Sequence, residues 1–128
     1  MNILFLSAAG SIHTIRWVNA LSELGHNITL VSKIDHEDKS KTINEKVKIV
    51  YLPFKGMKGY YFNIPFLKRF YRKNQNFDVI NVHYASGYGT LARMSKLPHV
   101  ILNVWGSDVY DFPNKSCIHH KIIRKNLE

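Results

Sequence analysis

The sequence has one cysteine, few acidic residues and no long apolar run, and each shortage excludes a class of protein. Cys117 is the single cysteine among 128 residues, which excludes an internal disulfide and fits a reducing compartment. No stretch approaches the roughly 20 apolar residues that span a bilayer. The chain starts without a basic segment and with an apolar run of only 3–6, which predicts a buried first strand and not a signal peptide.

Several motifs of cofactor-binding and catalytic proteins are also missing. The G-x-G-x-x-G fingerprint, the Gly-Lys-Ser/Thr of a P-loop and the G-x-S-x-G of serine hydrolases do not occur. His119 and His120 are adjacent, so they point to different sides of a helix, and no Cys, His or carboxylate spacing supports them as metal ligands. We therefore expect no metal ion and no cofactor, and we expect these two histidines to be solvated.

Acidic residues are half as numerous as basic ones. The chain has 18 lysines and arginines against nine aspartates and glutamates, a net charge of +9, which indicates an anionic partner. Nucleic acid, a phosphorylated small molecule and an anionic membrane surface all qualify. No helix-turn-helix, RNP or KH signature occurs, so we do not expect a nucleic-acid partner.

The basic charge is concentrated between residues 46 and 77, where no carboxylate occurs and aromatic residues are frequent. A helix is predicted there over 64–73, with Ile64, Leu67 and Tyr71 on its core side. Four cations form its flank, and they are called the basic flank below: Lys68, Arg69, Arg72 and Lys73. Basic and aromatic residues on one short helix are typical of contact with an anionic bilayer. A merely solvated helix face remains an alternative.

Apolar strands alternate with helical patterns along the chain. Strands are predicted over 2–6, 27–32, 47–52, 78–82 and 99–104, and the last of these is expected to be buried. The first helix is predicted between Ser11 and Gly25; further helices are predicted at 64–73, after Ser86 and from 118 onward. In the first helix one face carries Trp17, Ala20, Leu21 and Leu24. The alternation predicts an α/β, Rossmann-like, doubly wound parallel sheet with helices on both faces, forming one domain over 1–128.

Three strands of this sheet are followed by segments of unusual chemistry. These are SAAGSIH at 7–13, HYASGYG at 83–89 and WGSD at 105–108. Because ligands of such sheets bind outside the carboxyl ends of the strands, we expect the three segments to line one crevice. Gly10 allows close approach of the backbone, and Arg16 could bind a phosphate or carboxylate. A tight turn with a surface arginine is the alternative.

The other two segments offer groups that could bind a ligand or exchange a proton with it. His83 could exchange a proton near neutral pH or hold a hydroxyl; the alternative is a histidine bonded to the loop backbone. Trp105 has a flat face for a sugar or another ring, Gly106 frees the backbone, and Asp108 could accept hydrogen bonds from hydroxyls. A capped loop in which Asp108 bonds to its own backbone is the alternative.

These ordered segments resemble the N-terminal half of family-4 glycosyltransferases, which are retaining enzymes of the GT-B fold. The resemblance covers essentially the whole chain and implies that this lobe binds the acceptor and a second lobe binds the nucleotide-sugar. It also implies that the reaction occurs in the cleft between the lobes without a metal ion. It implies that the turn at Gly10 approaches the donor sugar or diphosphate and that the other two segments line the sugar site. The candidate catalytic residues are His83 and Asp108, and the candidate substrate-binding residues are Gly10, Ser11, His13, Arg16, Tyr84, Ser86, Gly87, Trp105, Gly106 and Ser107.

The sequence departs from the family pattern in two ways. Many members have histidine where Trp105 stands, and a tryptophan cannot serve as a base. The second lobe with its glutamate-rich motif is absent, and the sequence ends inside a helical pattern. We therefore expect a segment of a longer, two-lobed hexosyltransferase that is inactive by itself. The family implies a polysaccharide or lipid-linked acceptor. The single cysteine fits a cytoplasmic protein, and the basic flank would place it at the inner face of the membrane. Donor, acceptor and oligomeric state remain open.

Two other classes of protein use a similar fold. A non-enzymatic module of flavodoxin-like topology would bind a phosphorylated small molecule in the same crevice, and it remains an alternative. A response-regulator receiver is disfavoured, because no paired acidic residues follow the first strand.

Overall fold

A five-stranded parallel sheet forms the centre of the computed structural model, which describes residues 1–128. The strands are β1 (Asn2–Leu6), β2 (Asn27–Lys33), β3 (Lys48–Leu52), β4 (Val79–His83) and β5 (Val100–Asn103). Their order is β3-β2-β1-β4-β5, and every neighbouring pair is parallel. The direction of winding reverses between β1 and β4, so the crevice of a doubly wound sheet opens at their carboxyl ends.

Six helices connect or follow the strands. They are α1 (Ile12–Glu23), α2 (Gly56–Phe62), α3 (Ile64–Lys73), α4 (Gly87–Met94), α5 (Ser107–Tyr110) and α6 (Cys117–Leu127), with 3-10 turns at Ile34–His36 and Pro113–Lys115. None of the helices has the length and apolarity needed to cross a membrane. The sequence predicted α3 correctly and missed α2, because glycine and aromatic residues are weak helix formers.

The two faces of the sheet bury separate apolar cores. Alternate residues of a strand point to opposite faces, so Leu4 and Leu6 of β1 pack with Leu67 and Leu91 from α3 and α4. The alternating residues Ile3 and Phe5 pack on the other face with Val18 of α1, Ile28 and Leu30. The predicted fold class, a Rossmann-like sheet with helices on both faces, is confirmed.

The buried face of α1 differs from the apolar face of its sequence. The residues that face the sheet are Thr14, Val18 and Ser22, whereas Trp17 is exposed and Leu24 is 74% exposed. Thr14 is buried because its hydroxyl pairs with the Ser7 hydroxyl at 2.7 Å. Leu21, from the predicted apolar face, packs partly buried against the same core as Val18. The apolar pattern thus predicted one contact residue and missed Thr14, Val18 and Ser22.

A glycine ends α1, as the sequence predicted. Gly25, at φ +87°, follows α1. Its N–H donates to Ser22 O and the His26 N–H donates to Leu21 O, so the predicted glycine stop is confirmed.

The expectation of a fully buried last strand was wrong. β5 is an edge strand, and Ile101 is exposed because it points away from the core that holds Val100 and Leu102.

The face of α3 that was predicted to be apolar packs against the core. Leu67 is fully buried, and Ile64 and Tyr71 pack partly buried against the core. Of the basic flank, Lys68 is half-buried and the other three cations are exposed.

Candidate active-site crevice

The three predicted segments meet at the carboxyl ends of β1, β4 and β5. The N–H of Tyr84, directly after β4, donates to Asn103 O at the end of β5 over 2.9 Å. The N–H of Ala85 donates to Asp108 over 2.7 Å, and the N–H of Ala9, after β1, donates to the Ser32 hydroxyl over 3.0 Å. Hydrogen bonds thus fix the crevice loops to one another and to the sheet.

Asp108 is buried and holds two of these loops together. Its Oδ2 accepts from Ala85 N–H, and its Oδ1 accepts from Trp105 N–H over 2.9 Å. The side chain is 3% exposed. Both carboxylate oxygens are therefore engaged by the backbone, the arrangement that we weighed as the alternative to hydroxyl binding.

His83 is the last residue of β4 and is 1% exposed, so it lies under the crevice surface and not on its rim. Its Nδ1 is buried without a hydrogen-bond partner. Phe5 lies edge-on to the imidazole at 5.5 Å between ring centroids, and Trp105 lies at 5.3 Å. Burial, followed by the neighbouring His13, lowers the pKa of His83 to about 4. At neutral pH the ring is uncharged, with one donor and one acceptor nitrogen.

Trp105 lies between His83 and the first turn of α1. The exposed His13 ring stacks on the indole, with centroids 4.3 Å apart and planes 24° apart. The Trp105 Nε1 is buried and has no hydrogen-bond partner. Gly106, at φ +97°, follows in a left-handed conformation that favours glycine, and Ser107 is exposed at the start of α5. His13 therefore occupies one face of the indole that we expected to be open to a sugar.

The turn after β1 brings the backbone close to the loop that follows β2. Gly10 N–H donates to His36 O over 2.8 Å, and a Cβ at Gly10 would lie 2.9 Å from Glu37 O. Ser11 is the N-cap residue of α1, yet its side chain makes no capping bond. Arg16 is exposed and takes part in neither of the two salt bridges of the chain. Glycine at position 10 is thus required by close packing.

The turn after β4 forms the floor of two cavities of about 300 and 370 Å³. Tyr84 and Ser86 line both. Tyr84 has φ +72°, a conformation that costs a non-glycine residue about 1–3 kcal/mol and often occurs at functional sites. Gly87 lets the Tyr60 ring lie against the start of α4, since a Cβ there would overlap that ring.

One side of the crevice consists of residues that the sequence did not single out. The Tyr88 hydroxyl accepts from Lys33 N–H over 3.2 Å and pairs with His36 Nδ1 at 2.7 Å. The buried Lys33 ammonium donates to Gly56 O over 2.6 Å and lies 4.2 Å from the centroid of the Tyr60 ring. These partners are 23–55 residues apart in sequence, so no local pattern indicates them.

Burial shifts the titration of three groups on this side. It raises the pKa of Tyr60 to about 12, with a smaller contribution from Asp35, and it raises the pKa of Tyr88 well above its usual value. Burial, together with the nearby Lys33 ammonium, lowers the pKa of His36. All three side chains are therefore neutral at pH 7 and offer hydrogen bonds instead of charge.

The adjacent histidines of α6 differ in environment. His120 is exposed, as expected, but His119 is half-buried. Its Nδ1 pairs with the Ser116 hydroxyl at 2.6 Å, and its ring lies edge-on to Phe112 at 4.6 Å between centroids. The expectation that His119 is solvated was wrong, because α6 folds back against the Pro113–Lys115 turn. No group of three or more His, Cys, Asp or Glu side chains is placed to hold a metal ion.

Comparisons with known proteins place the chain in a family. Two solved structures resemble it at low identity, and the chain spans 38% of the length of each. One is a UDP-galactose 4-epimerase, with 14% identity and a TM-score of 0.46 over 67% of this chain. The other is the glycotransferase of kitacinnamycin, with 16% identity and a TM-score of 0.48 over 97% of this chain. No curated protein matches the sequence. The model of the family described as "Glycosyl transferase 4-like" matches residues 2–128, so the chain belongs to this family.

Proposed function

We propose that residues 1–128 form the acceptor-binding lobe of a two-lobed, retaining hexosyltransferase. The enzyme moves a sugar from a nucleotide-sugar to a polysaccharide or lipid-linked acceptor. A second lobe binds most of the donor, and the reaction uses neither a metal ion nor a cofactor. Membership of the glycosyl transferase 4-like family supports the general activity, and the position of the crevice at the switch point of the sheet supports its location.

The observation that carries the proposal is the unpaired His83. A buried polar nitrogen without a partner costs about 1–3 kcal/mol, and His83 Nδ1 is in this state in the residue before Tyr84, which lines both crevice cavities. A sugar hydroxyl would satisfy the imidazole. Because the low pKa keeps His83 neutral, one ring nitrogen can accept a hydrogen bond from a sugar hydroxyl and the other can donate one.

Access to His83 depends on the aromatic residues above it. The imidazole is almost fully covered, so a substrate contacts it only when Trp105 moves aside together with the stacked His13. Asp108 acts through the backbone in this proposal. It holds the loops after β4 and β5 in register, which fixes the position of His83 and of the strained Tyr84.

The remaining candidate residues bind substrate around this centre. The Gly10 turn and Ser11 approach the donor, and Arg16 binds its phosphate or the charge of the acceptor. Ser86 lies where the crevice cavities meet, and no other side chain or backbone group bonds to its hydroxyl, which leaves that hydroxyl for an acceptor. Gly106 and Ser107 shape the wall after β5.

We also propose that the protein is cytoplasmic and that the basic flank brings it to an anionic membrane surface. Three of its four cations are exposed, and no carboxylate occurs between residues 46 and 77. An enzyme with a lipid-linked acceptor gains from this position, because its acceptor is concentrated in the membrane.

A screen of nucleotide-sugars with the full-length protein tests the proposal. We expect sugar transfer, or hydrolysis of one nucleotide-sugar, by the full-length protein and none by residues 1–128 alone, because a cleft between lobes needs groups from both. Turnover by residues 1–128 would contradict the divided site. Binding of phosphorylated compounds without any turnover of the full-length protein would favour the non-enzymatic module.

A further inference from the structure

His36 lies in the crevice and has no role in the proposed transfer. It ends the 3-10 turn that follows β2, outside the three segments that the sequence singled out, and it lines the crevice cavity of about 300 Å³. Its backbone oxygen accepts from Gly10 N–H over 2.8 Å, which fixes this turn to the turn after β1. The backbone that carries the half-buried imidazole is therefore held in place at the crevice wall.

The buried Tyr88 hydroxyl pairs with one nitrogen of this imidazole. Its oxygen lies 2.7 Å from His36 Nδ1, 3.2 Å from Lys33 N and 3.4 Å from Ser32 Oγ. The backbone N–H of Lys33 is a donor only, so it takes a lone pair of the phenol oxygen. The proton of the Tyr88 hydroxyl is therefore directed at either His36 or Ser32.

The distances assign this proton to the bond with His36. Hydroxyl donors make bonds of about 2.7–2.8 Å to oxygen, whereas N–H donors make bonds of about 2.9–3.0 Å. The 2.7 Å between Tyr88 and His36 Nδ1 fits a hydroxyl donor. If Nδ1 were the donor, the Tyr88 hydroxyl could donate only to Ser32 Oγ at 3.4 Å, beyond the usual O–H···O range of about 2.5–3.0 Å. Tyr88 therefore donates to His36 Nδ1.

The tautomer of His36 follows from this bond. Burial and the nearby Lys33 ammonium lower the pKa of His36, and burial raises the pKa of Tyr88, so at pH 7 the imidazole has one N–H and the phenol keeps its proton. Because Nδ1 accepts a hydrogen bond, the proton of the neutral imidazole is on Nε2. Nε2 has no hydrogen-bond partner within the protein. His36 thus offers a free N–H donor on the wall of the crevice cavity.

This N–H shares the cavity with free hydroxyl groups. They belong to Ser11, Tyr60, Tyr84 and Ser86, and none of them bonds to another group of the protein. No lysine, arginine, aspartate or glutamate lines this cavity, whereas Asp111 and Lys115 line the adjoining cavity of about 370 Å³. A wall of hydroxyl groups with one N–H donor is complementary to a sugar, whose hydroxyl groups both donate and accept hydrogen bonds.

We propose that His36 donates a hydrogen bond from Nε2 to a hydroxyl of the acceptor sugar, and that Tyr88 is a positioning residue that holds His36 in this tautomer. The contact with the sugar rests on the proposed function. The tautomer does not, since it depends only on the pairing of the two side chains. A sugar that lacks the matching hydroxyl leaves the N–H unpaired, so the pair selects among acceptor sugars.

The ¹⁵N chemical shifts of the histidine ring nitrogens in the substrate-free, full-length protein test the tautomer, because they distinguish a protonated nitrogen from an unprotonated one. At pH 7.5 we expect the proton of His36 on Nε2. In Tyr88→Phe, which cannot donate, we expect a shifted Nδ1 resonance and partial protonation of Nδ1. Tyr110→Phe, at an exposed position, is the control and should leave His36 unchanged. A proton on Nδ1 in the wild type would overturn the proposal whether or not Tyr88→Phe folds, and so would unchanged shifts in a folded Tyr88→Phe protein.

Steady-state kinetics of the full-length enzyme, with methyl glycosides of glucose, galactose, mannose and N-acetylglucosamine as acceptors, tests the contact with the sugar. His36→Leu removes the donor, whereas the amide of His36→Gln can accept from Tyr88 and donate to the sugar. We expect the KM for the acceptor to rise about tenfold or more in His36→Leu and to stay within about threefold of wild type in His36→Gln, as one hydrogen bond is lost or kept. The KM for the nucleotide-sugar should not change. Equal losses in the two variants, or a rise only in the KM for the nucleotide-sugar, would contradict the contact.

The two measurements separate this proposal from the proposed function. If the enzyme transfers sugar but His36 has its proton on Nδ1, the His36–Tyr88 proposal alone is wrong. Hydrolysis of a nucleotide-sugar without transfer to any of the four glycosides would count against the sugar contact alone. If His36 has the expected tautomer but the full-length protein neither transfers nor hydrolyses any sugar, the proposed function fails and the acceptor contact fails with it, while the positioning role of Tyr88 stands.

Discussion

The imidazole of His13 stacks on the indole of Trp105, with ring centroids 4.3 Å apart and planes inclined by only 24°. The residues are distant in sequence and meet because the loops after β1 and β5 end at the same edge of the sheet. Trp105 in turn lies against His83. The stack therefore covers the histidine that the proposed reaction needs, and we expect access to that histidine to depend on its opening.

Removal of the indole should restore an ordinary titration to His83. In Trp105→Ala the imidazole becomes solvated, so its pKa should rise from about 4 toward the usual 6.5. Titration of the imidazole carbon-bound protons by NMR measures this shift. Trp17→Ala is the control, because Trp17 is exposed on α1. A His83 pKa that stays near 4 in Trp105→Ala would show that other groups bury the ring.

The same low pKa makes the stability of the domain depend on pH. Between about pH 6.5 and pH 4 the unfolded chain binds a proton at His83 and the folded one does not, so stability falls as the pH falls. The loss reaches about 3 kcal/mol for a shift of this size. His36, whose pKa is also lowered, adds to it in the same direction.

Urea unfolding at several pH values, with wild type and His83→Asn, checks this dependence. The variant should lose less stability between pH 6.5 and pH 4, and His120→Asn, at an exposed position, should behave as wild type. Equal slopes for wild type and His83→Asn would mean that His83 is not desolvated.

Loss of the Asp108 carboxylate should destabilise the domain. In Asp108→Asn an amide N–H₂ faces the N–H of either Ala85 or Trp105, and one buried donor loses its acceptor. We expect the free energy of unfolding to fall by about 2 kcal/mol, as measured by urea denaturation. Asp111→Asn, in the same segment but exposed, is the control. A change below 0.5 kcal/mol, about the scale of ordinary surface substitutions, would contradict the structural role of Asp108.

The sequence predicted the parts of the fold that depend on local pattern. Continuous aliphatic runs located all five strands, and the glycine after α1 located its end. The face of α1 was predicted only in part. Leu21 packs against the core, but Thr14 is buried with its hydroxyl paired to Ser7, which the apolar pattern does not indicate. Likewise β5 is apolar in sequence, but its exposure depends on its position at the edge of the sheet.

The candidate site was predicted as a location and not as a set of contacts. Strand-end segments can be recognised from the alternation, so His83, Trp105 and Asp108 were found together. Their burial follows from bonds between loops, such as Ala85 to Asp108, that no local spacing encodes. The contribution of His36 and Tyr88 was missed for the same reason, since 52 residues separate them.

Membrane contact through the basic flank gives a prediction that does not depend on catalysis. Each lysine or arginine near an anionic leaflet contributes about 1 kcal/mol to the free energy of binding. Screening by salt limits the range of this attraction to about 8 Å at physiological ionic strength. Phe54, Phe62 and Phe66 form an exposed aromatic cluster on the same segment, with centroids 5.6 and 5.7 Å from Phe54. The protein should therefore sediment with anionic vesicles at low salt and not with neutral ones.

Replacement of the whole basic flank by glutamine should abolish this sedimentation while the fold remains, because Leu67 still fills the core. Replacement of four exposed basic residues elsewhere, Lys39, Lys41, Lys46 and Lys96, controls for net charge alone. Equal sedimentation of wild type and the basic-flank variant would show that the cations of α3 serve another purpose.

The most direct test of the account is the kcat/KM for sugar transfer by the full-length enzyme carrying His83→Ala. A preorganised hydrogen bond to the reacting group in a site that excludes water typically contributes about 100-fold or more. We expect a loss of that size in His83→Ala, with the fold retained at pH 7.5, and no loss in the exposed control His120→Ala. Near wild-type turnover in a folded His83→Ala enzyme would contradict the central role of the unpaired histidine.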